Sequence, residues 1–397
     1  MNIRTLITPS QKAKIKSIQH LIYRLLNNSS KINTSKKFDV IKFKGADVFC
    51  GYYDVSPFNS FDDVLFIRRF PKREDVDICI RSTENKSDIR IIANTYAWNW
   101  QQGCRLRWFP HSDDKIIFNI FENGVYGARL IDKQGNHIRD FCCPLYDISN
   151  DGHWGLTLNF ERLGMMRPGY GYTCLPYKPR NLREESIGIV NLDNNLIEER
   201  ISYSEIDSVL SNKSDFNNCY VNHLSFSPDN KKFLFFWIEI KNNYHQASLL
   251  VYDIERKEII PLETNEKVSH YVWIDNDSIL CTSYKNSATC RYYVYKIKTR
   301  AKEEYCPISL REDGHPSIDS GCKILTDTYP DKNGFQYLYI VDSEKDSKEM
   351  LFKVYMKPVA NGEKRTDLHP RFNNNHTKIC FDANYNGNRE IIIVNRI

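Results

Sequence analysis

The chain has 397 residues, 41% hydrophobic and 13% aromatic, too apolar for a disordered protein and long enough for one large β domain or two ordinary ones. Its net charge of +5 is localised: eight basic residues and no acidic one precede Asp39, and the slightly acidic remainder offers no compositional case for nucleic-acid binding. Tyr and Phe, 24 and 21 residues, dominate the apolar material and point to strands.

The first element is signalled by Pro9-Ser10, after which Ile15, Ile18, Leu21, Ile22, Leu25 and Leu26 recur at helical spacing among lysines. This predicts a basic amphipathic helix within an arm of residues 1–37. Three uses stay open for it: packing on the body, contact with an anionic membrane surface, or an import-type presequence. No apolar run approaches the roughly 18 residues of a membrane span. Twelve cysteines without a CxxC, with one adjacent pair at Cys142-Cys143, predict reduced and mostly buried thiols. That usage suits a cytoplasmic protein, with the inner face of the membrane as the alternative location.

From Phe38 onward the chain repeats. His223, His270, His315 and His369 each precede by three residues an apolar side chain, respectively Phe226, Trp273, Ile318 and Phe372, followed by a polar turn and a second apolar run. Three further segments fit the frame without histidine, at Tyr52, Arg105 and Leu145. Successive intervals are 53, 40, 78, 47, 45 and 54 residues, most of them close to the roughly 40–50 residues of a four-stranded propeller blade. The expected fold is therefore all-β, a single seven-bladed β-propeller over residues 38–397, with "FDVIKFKG" completing the last sheet and the long interval holding an insertion.

In such a ring the frame positions face one another at the channel mouth. Tyr52, Arg105, His223, His270, His315 and His369 become neighbours, and clustered imidazoles suit a metal site or proton transfer. The remaining histidines, His20, His111, His137, His153, His245 and His376, are expected at the surface. Asp327 in "ILTDTYPD" is a candidate partner for a ring histidine. Within the insertion, "NFERLGMMRPGYGYTCLPYKPR" carries Arg162, Arg167, Tyr170 and Tyr172, either as a surface loop or as a lid presenting Arg and aromatic groups to a sugar. "WNWQQGCRLRW" offers indoles and amides to a sugar, or fills inter-blade cores.

The motifs "NHLSFSP", "SHYVW" and "LHPRF" resemble blade motifs of oligogalacturonate lyase, a seven-bladed propeller that cleaves uronate oligosaccharides by β-elimination with manganese. The resemblance covers about Asn222 to Ile397 in motifs and the rest in architecture. It implies His223 as the base, His270 and His369 as metal ligands, and an acidic oligosaccharide or polysaccharide as substrate. The family's last blade supplies a Gln and a second His whose places fall here near Thr366 and at Arg371, so either His315 completes the ligand set or Arg371 binds the carboxylate without metal. Chemistry of this kind needs a cation against the developing enediolate and a neutral base in reach, for which Arg105, Arg371, His223, Tyr52 and Tyr53 are the available groups. The competing readings are a non-catalytic propeller binding glycans or proteins at the same mouth, and an epimerase or transferase of surface-polysaccharide metabolism. A hydrolase or transferase is weakened by the lack of paired carboxylates or a nucleotide-binding Gly-rich loop, whereas a uronate epimerase would begin by the same proton abstraction as a lyase.

Overall fold

The computed structural model describes residues 8–27, 29–178, 181–211, 213–242, 244–285, 289–321, 323–359 and 362–396. Pro179 and Arg180, at the end of the insertion motif, lie outside the described residues, as does Cys322.

Among the described residues, seven antiparallel sheets follow one another along the chain as the blades of a propeller. The inner strands of blades one to six are Asp47–Phe49, Arg107–Trp108, Asp147–Ile148, Cys219–Phe226, Lys267–Trp273 and Ser317–Ile318. Blade seven runs Arg371–Phe372, Lys378–Ala383, Glu390–Asn395 and is completed by Phe38–Ile41, which pairs antiparallel with Glu390–Asn395 and closes the ring. The expected closure by the segment from Phe38 is thus present.

Stacked blades bury both faces of their middle strands, so those strands read as continuous apolar runs rather than alternating ones. Lys232–Lys241, "KFLFFWIEIK", is buried from Phe233 through Ile238. Polar turns punctuate the runs: after Phe226, the Ser227 hydroxyl bonds Asp229 and Asn230 adopts a left-handed φ of 61°, which an Asn tolerates.

The long interval is accounted for inside blade three, where a helix (Phe160–Met166) and a glycine-rich turn stand between Trp154–Thr157 and Ser186–Asn191. A Cβ on Gly171 would sit 2.1 Å from the Gly164 nitrogen, so only glycine lets the turn press onto that helix. The residues on either side of Gly171 then diverge, Tyr170 toward the channel and Tyr172 into the core.

The N-terminal helix, α1 (Pro9–Leu26), begins with a capping box between Thr8 and Gln11. After it, Ile32–Asn33 pairs with Ser347–Tyr355 as a fifth strand on the outer edge of blade six. No described helix is long and apolar enough to cross a membrane. The described cysteines are free thiols, most of them buried. Three of the histidines expected at the surface are at least partly buried: His20 by α1 against Tyr355, His245 with its Nδ1 2.8 Å from the Tyr220 hydroxyl, and His376 edge-on to Phe372.

Candidate active site at the channel mouth

The register of the inner strands shifts at the frame positions, between Asn222 and Ser225 in blade four and between Val268 and Tyr271 in blade five. Such bulges re-aim a side chain at the cost of local backbone strain. Arg105, His223 and His369 carry φ of 55°, 60° and 46°, left-handed values rare for residues other than glycine, and all three are buried.

Four imidazoles and two tyrosines meet there. Ring centroids of His270 and His315 lie 4.1 Å apart and those of His315 and His369 4.4 Å apart. Tyr52 sits 4.8 Å from His369 and 5.4 Å from His223. In blade three the frame position reads one residue late: Leu145 is packed in an apolar core between blades, and Tyr146 reaches the adjacent blade four to bond Asn222 and receive the His223 amide.

Hydrogen bonding fixes the tautomers. The Nδ1 atoms of His270, His315 and His369 stand 2.9 Å from Asp313, 2.8 Å from Asp327 and 3.2 Å from the Gly51 carbonyl. These partners are acceptors, so in the neutral ring each Nδ1 carries the proton and each Nε2 keeps its lone pair. Nε2 of His315 and of His369 is buried without a protein partner. Buried polar atoms are ordinarily satisfied, so two such orphans side by side mark a site for something else. Asp367 joins them: one donor atom each from His315, Asp367 and His369 lie within 4.8 Å of one another, all buried. Two imidazole nitrogens and a carboxylate are a donor set that fits a divalent metal ion.

Electrostatics divide the cluster. Burial, reinforced by His270 and Arg105, pushes His223 well below the ordinary histidine pKa, and burial with His315 and Arg371 does the same to His369. Burial and then His315 also lower His270. At His315 burial opposes the charge, but Asp327, Asp367 and Asp313 outweigh it and raise the pKa. Burial, with neighbouring tyrosines, holds the Tyr52 phenol well above its normal value, and its hydroxyl has no partner.

Other candidates are held in different surroundings. Arg105 forms a two-nitrogen ion pair with Asp54, at 2.9 and 3.1 Å, and donates to the Tyr146 carbonyl. Arg371 donates to the carbonyls of Tyr52 and Gly51 with Asp382 at 3.6 Å, stitching blade seven to blade one. The Tyr53 hydroxyl donates to the Tyr271 carbonyl. Arg162 is spent on the carbonyls of Cys219 and Phe216, and Tyr172 stacks on Phe160 with its hydroxyl 2.7 Å from the Asn119 amide, so neither joins the cluster. Arg167 and Tyr170 do, lining a cavity of about 240 Å³ with Tyr52, His223 and His270. Arg167 makes no ion pair among the described residues and lies over the Tyr170 ring.

Asp367 and Asp313 are absent from the sequence-derived set. Their signal is the repeated tetrapeptide Asp-x-His-Pro, at Asp313 to Pro316 and Asp367 to Pro370.

No family model matches the chain, and no curated protein matches it. Solved structures do. Oligogalacturonate lyase from Vibrio parahaemolyticus superposes with a TM-score of 0.63 at 12% identity, over 92% of this chain and 97% of that one. An oligogalacturonate lyase in complex with manganese gives 0.64 at 12% identity, over 92% and 98%. The β-propeller domain of the Trilobed protease from Pyrococcus furiosus gives 0.52 at 12% identity, over 89% and 96%. At these identities the likeness establishes a shared β-propeller fold.

Proposed function

We propose that this propeller is a lyase that cleaves an acidic, uronate-containing oligosaccharide by β-elimination, using His223 as the base. The observation that carries the reading is the buried group His315, Asp367 and His369, with two open Nε2 atoms, beside a neutral histidine whose Nδ1 is likewise buried and unpartnered. The structural neighbour solved with manganese supports the same direction.

His315, Asp367 and His369 would hold a divalent ion, manganese in this reading, with His270 adjacent. When bound, it would supply positive charge against the enediolate that develops beside the uronate carboxylate. Arg167 and Lys267, which line the cavity without an ion pair among the described residues, are positioned to attract that carboxylate. His223 Nδ1 takes the proton α to the carboxylate, the C–H electron pair becomes the new C=C bond, and the glycosidic C–O bond on the adjacent carbon breaks. The leaving oxygen acquires a proton, a role open to the unpartnered Tyr52 hydroxyl, whose ring lies 5.4 Å from that of His223. For Nδ1 to act as base the ring must carry its proton on Nε2 and give up a long contact of 3.3 Å with Asn222. Arg105 and Arg371 serve this reading as positioning residues, since their guanidinium groups are tied to Asp54 and to backbone.

The cavity is small for an oligosaccharide. On the other side of the Tyr170 turn, Gly169 and Gly171 line a larger groove of about 1120 Å³ with Arg69, Tyr96, Trp98 and Trp100, which supports the remainder of a chain passing over the turn.

The test is to screen uronate oligosaccharides for the absorbance of an unsaturated product, with metal content measured on the same samples. His223→Ala is expected to keep metal and fold while turnover falls about 10²–10⁴-fold. His369→Ala is expected to lose metal and activity together. Full activity in His223→Ala sinks the mechanism. Retention of glycan affinity with no product from any uronate favours a binding propeller.

A further inference from the structure

The least exposed described side chains of α1 are Ala13, Ser17, His20, Tyr23 and Arg24, spaced along one side of the helix. This is the side that rests on blade six: His20 meets Tyr355 edge-on, Tyr23 meets Phe335, and the Arg24 guanidinium lies 4.7 Å over the Tyr355 ring. A helix turns about 100° per residue, so Ile15, Ile18, Ile22, Leu25 and Leu26 fall on the opposite side, with Leu21 at its margin. These six are 43% to 80% exposed. A surface helix of a globular protein normally buries its aliphatic stripe against the core. Here small, polar and aromatic residues face the protein, and the aliphatic stripe faces away.

Charge selects the occupant. Lys12, Lys14 and Lys16 are exposed on the same helix, and no acidic residue occurs before Asp39. A second copy of the chain would bring like charges together across the same face, whereas an anionic surface is attracted to them. The helix is not long and apolar enough to cross a bilayer, which leaves an orientation in the plane of the interface.

We propose that α1 is an interfacial anchor whose outward aliphatic face inserts into the headgroup region of a bilayer containing anionic phospholipid. The anchor has a direction. Phe335 pairs with Tyr355, and both stand at the same end of blade six as Asp327, the partner of His315. The helix therefore holds the histidine end of the propeller, rather than its far face, nearest the lipid. This inference does not depend on the catalytic reading.

The experiment is co-sedimentation of the full-length protein with phosphatidylcholine vesicles, with and without phosphatidylglycerol. Binding to the anionic vesicles is expected, at least about tenfold weaker to the neutral ones, and falling as salt rises. The double variant Ile18→Glu with Leu25→Glu points away from blade six, so it should unfold at the wild-type temperature and no longer sediment. Lys12→Glu with Lys16→Glu should remove the preference for anionic lipid. Failure of the wild type to bind either vesicle, or undiminished binding by the Ile18, Leu25 variant, overturns the proposal. So does a dimer in sedimentation equilibrium that this same variant dissociates, because a second copy would then occupy the face.

Discussion

Two sets of buried polar side chains share the channel and are treated in opposite ways. The guanidinium groups of Arg105 and Arg371 are bound to acceptors of the protein, Asp54 and three backbone carbonyls, with Arg371 Nη1 left without a partner. The imidazoles of His223, His315 and His369 keep at least one nitrogen open. The difference follows from ionisation. A guanidinium cannot shed its charge, so burial demands acceptors and the group becomes a fastener between blades. An imidazole can be neutral, one acceptor satisfies its single N–H, and the other nitrogen is left for a ligand or a proton.

The largest expected effect breaks the fastener side of this contrast. Arg105→Leu leaves the Asp54 carboxylate in a largely dry position without its partner, an expected loss of about 3–5 kcal/mol in chemical denaturation. The double variant Arg105→Leu, Asp54→Leu should recover most of it, since both charges are then removed. A single variant as stable as wild type would show that the pair contributes little and that Arg105 is available for other work.

The next effect acts on the open side. Saturating manganese should stabilise the protein by about 2.7 kcal/mol at a hundredfold excess over Kd. His315→Ala should abolish that gain and Arg105→Leu should preserve it. A gain that survives His315→Ala would move the metal away from this cluster.

The same contrast explains what could be read in advance. Blade number, ring closure and the meeting of the four histidines follow from a repeat frame, because strand period and blade length impose regular spacing on the sequence. What a polar group does there depends on partners that spacing does not reveal. Arg162 and Arg167 are five residues apart in one glycine-rich segment, yet one is tied to the Cys219 carbonyl and the other lines the cavity. Tyr170 and Tyr172 diverge because Gly171 lets the backbone cross Phe160–Met166 at close range. Leu145 fits the frame by pattern, but the bulge that aims a side chain inward belongs to backbone pairing, and Tyr146 takes the place. Asp367 escaped notice because the Asp-x-His-Pro pattern that carries it occurs in only two of the seven frame segments, at His315 and His369.

A smaller effect concerns the arm. Deleting the residues before Lys37 removes α1 and the two-residue edge strand but spares Phe38–Ile41, the strand that closes the ring. We expect the remainder to unfold cooperatively with a loss of about 2 kcal/mol, an ordinary value for removal of a peripheral contact. Broad or multistep unfolding would instead make the arm part of the core and would erase the boundary at residue 37.

The smallest effect, per residue, is the pH dependence that separates the two sets most directly. In metal-free protein, His223, His270 and His369 have folded pKa values below the unfolded value of about 6.5, chiefly through burial. Between the two values the unfolded chain holds more protons, so these three residues make stability rise with pH, and it is lost as pH falls below about 6.5. His315 runs the other way: Asp327 and its neighbours outweigh burial, so its contribution is complete below about 6.5 and disappears as pH rises through its raised folded value. His223→Asn should therefore flatten the stability slope between about pH 5 and 6.5 by up to one proton, about 1.4 kcal/mol per pH unit, while His315→Asn should steepen it toward neutrality. Arg105→Leu should lower the whole curve without changing its slope, because a guanidinium does not titrate in this window. An unaltered slope in His223→Asn would mean that burial does not depress this imidazole in the folded protein, which would remove the buried, neutral base on which the elimination reading rests at pH below about 6.5.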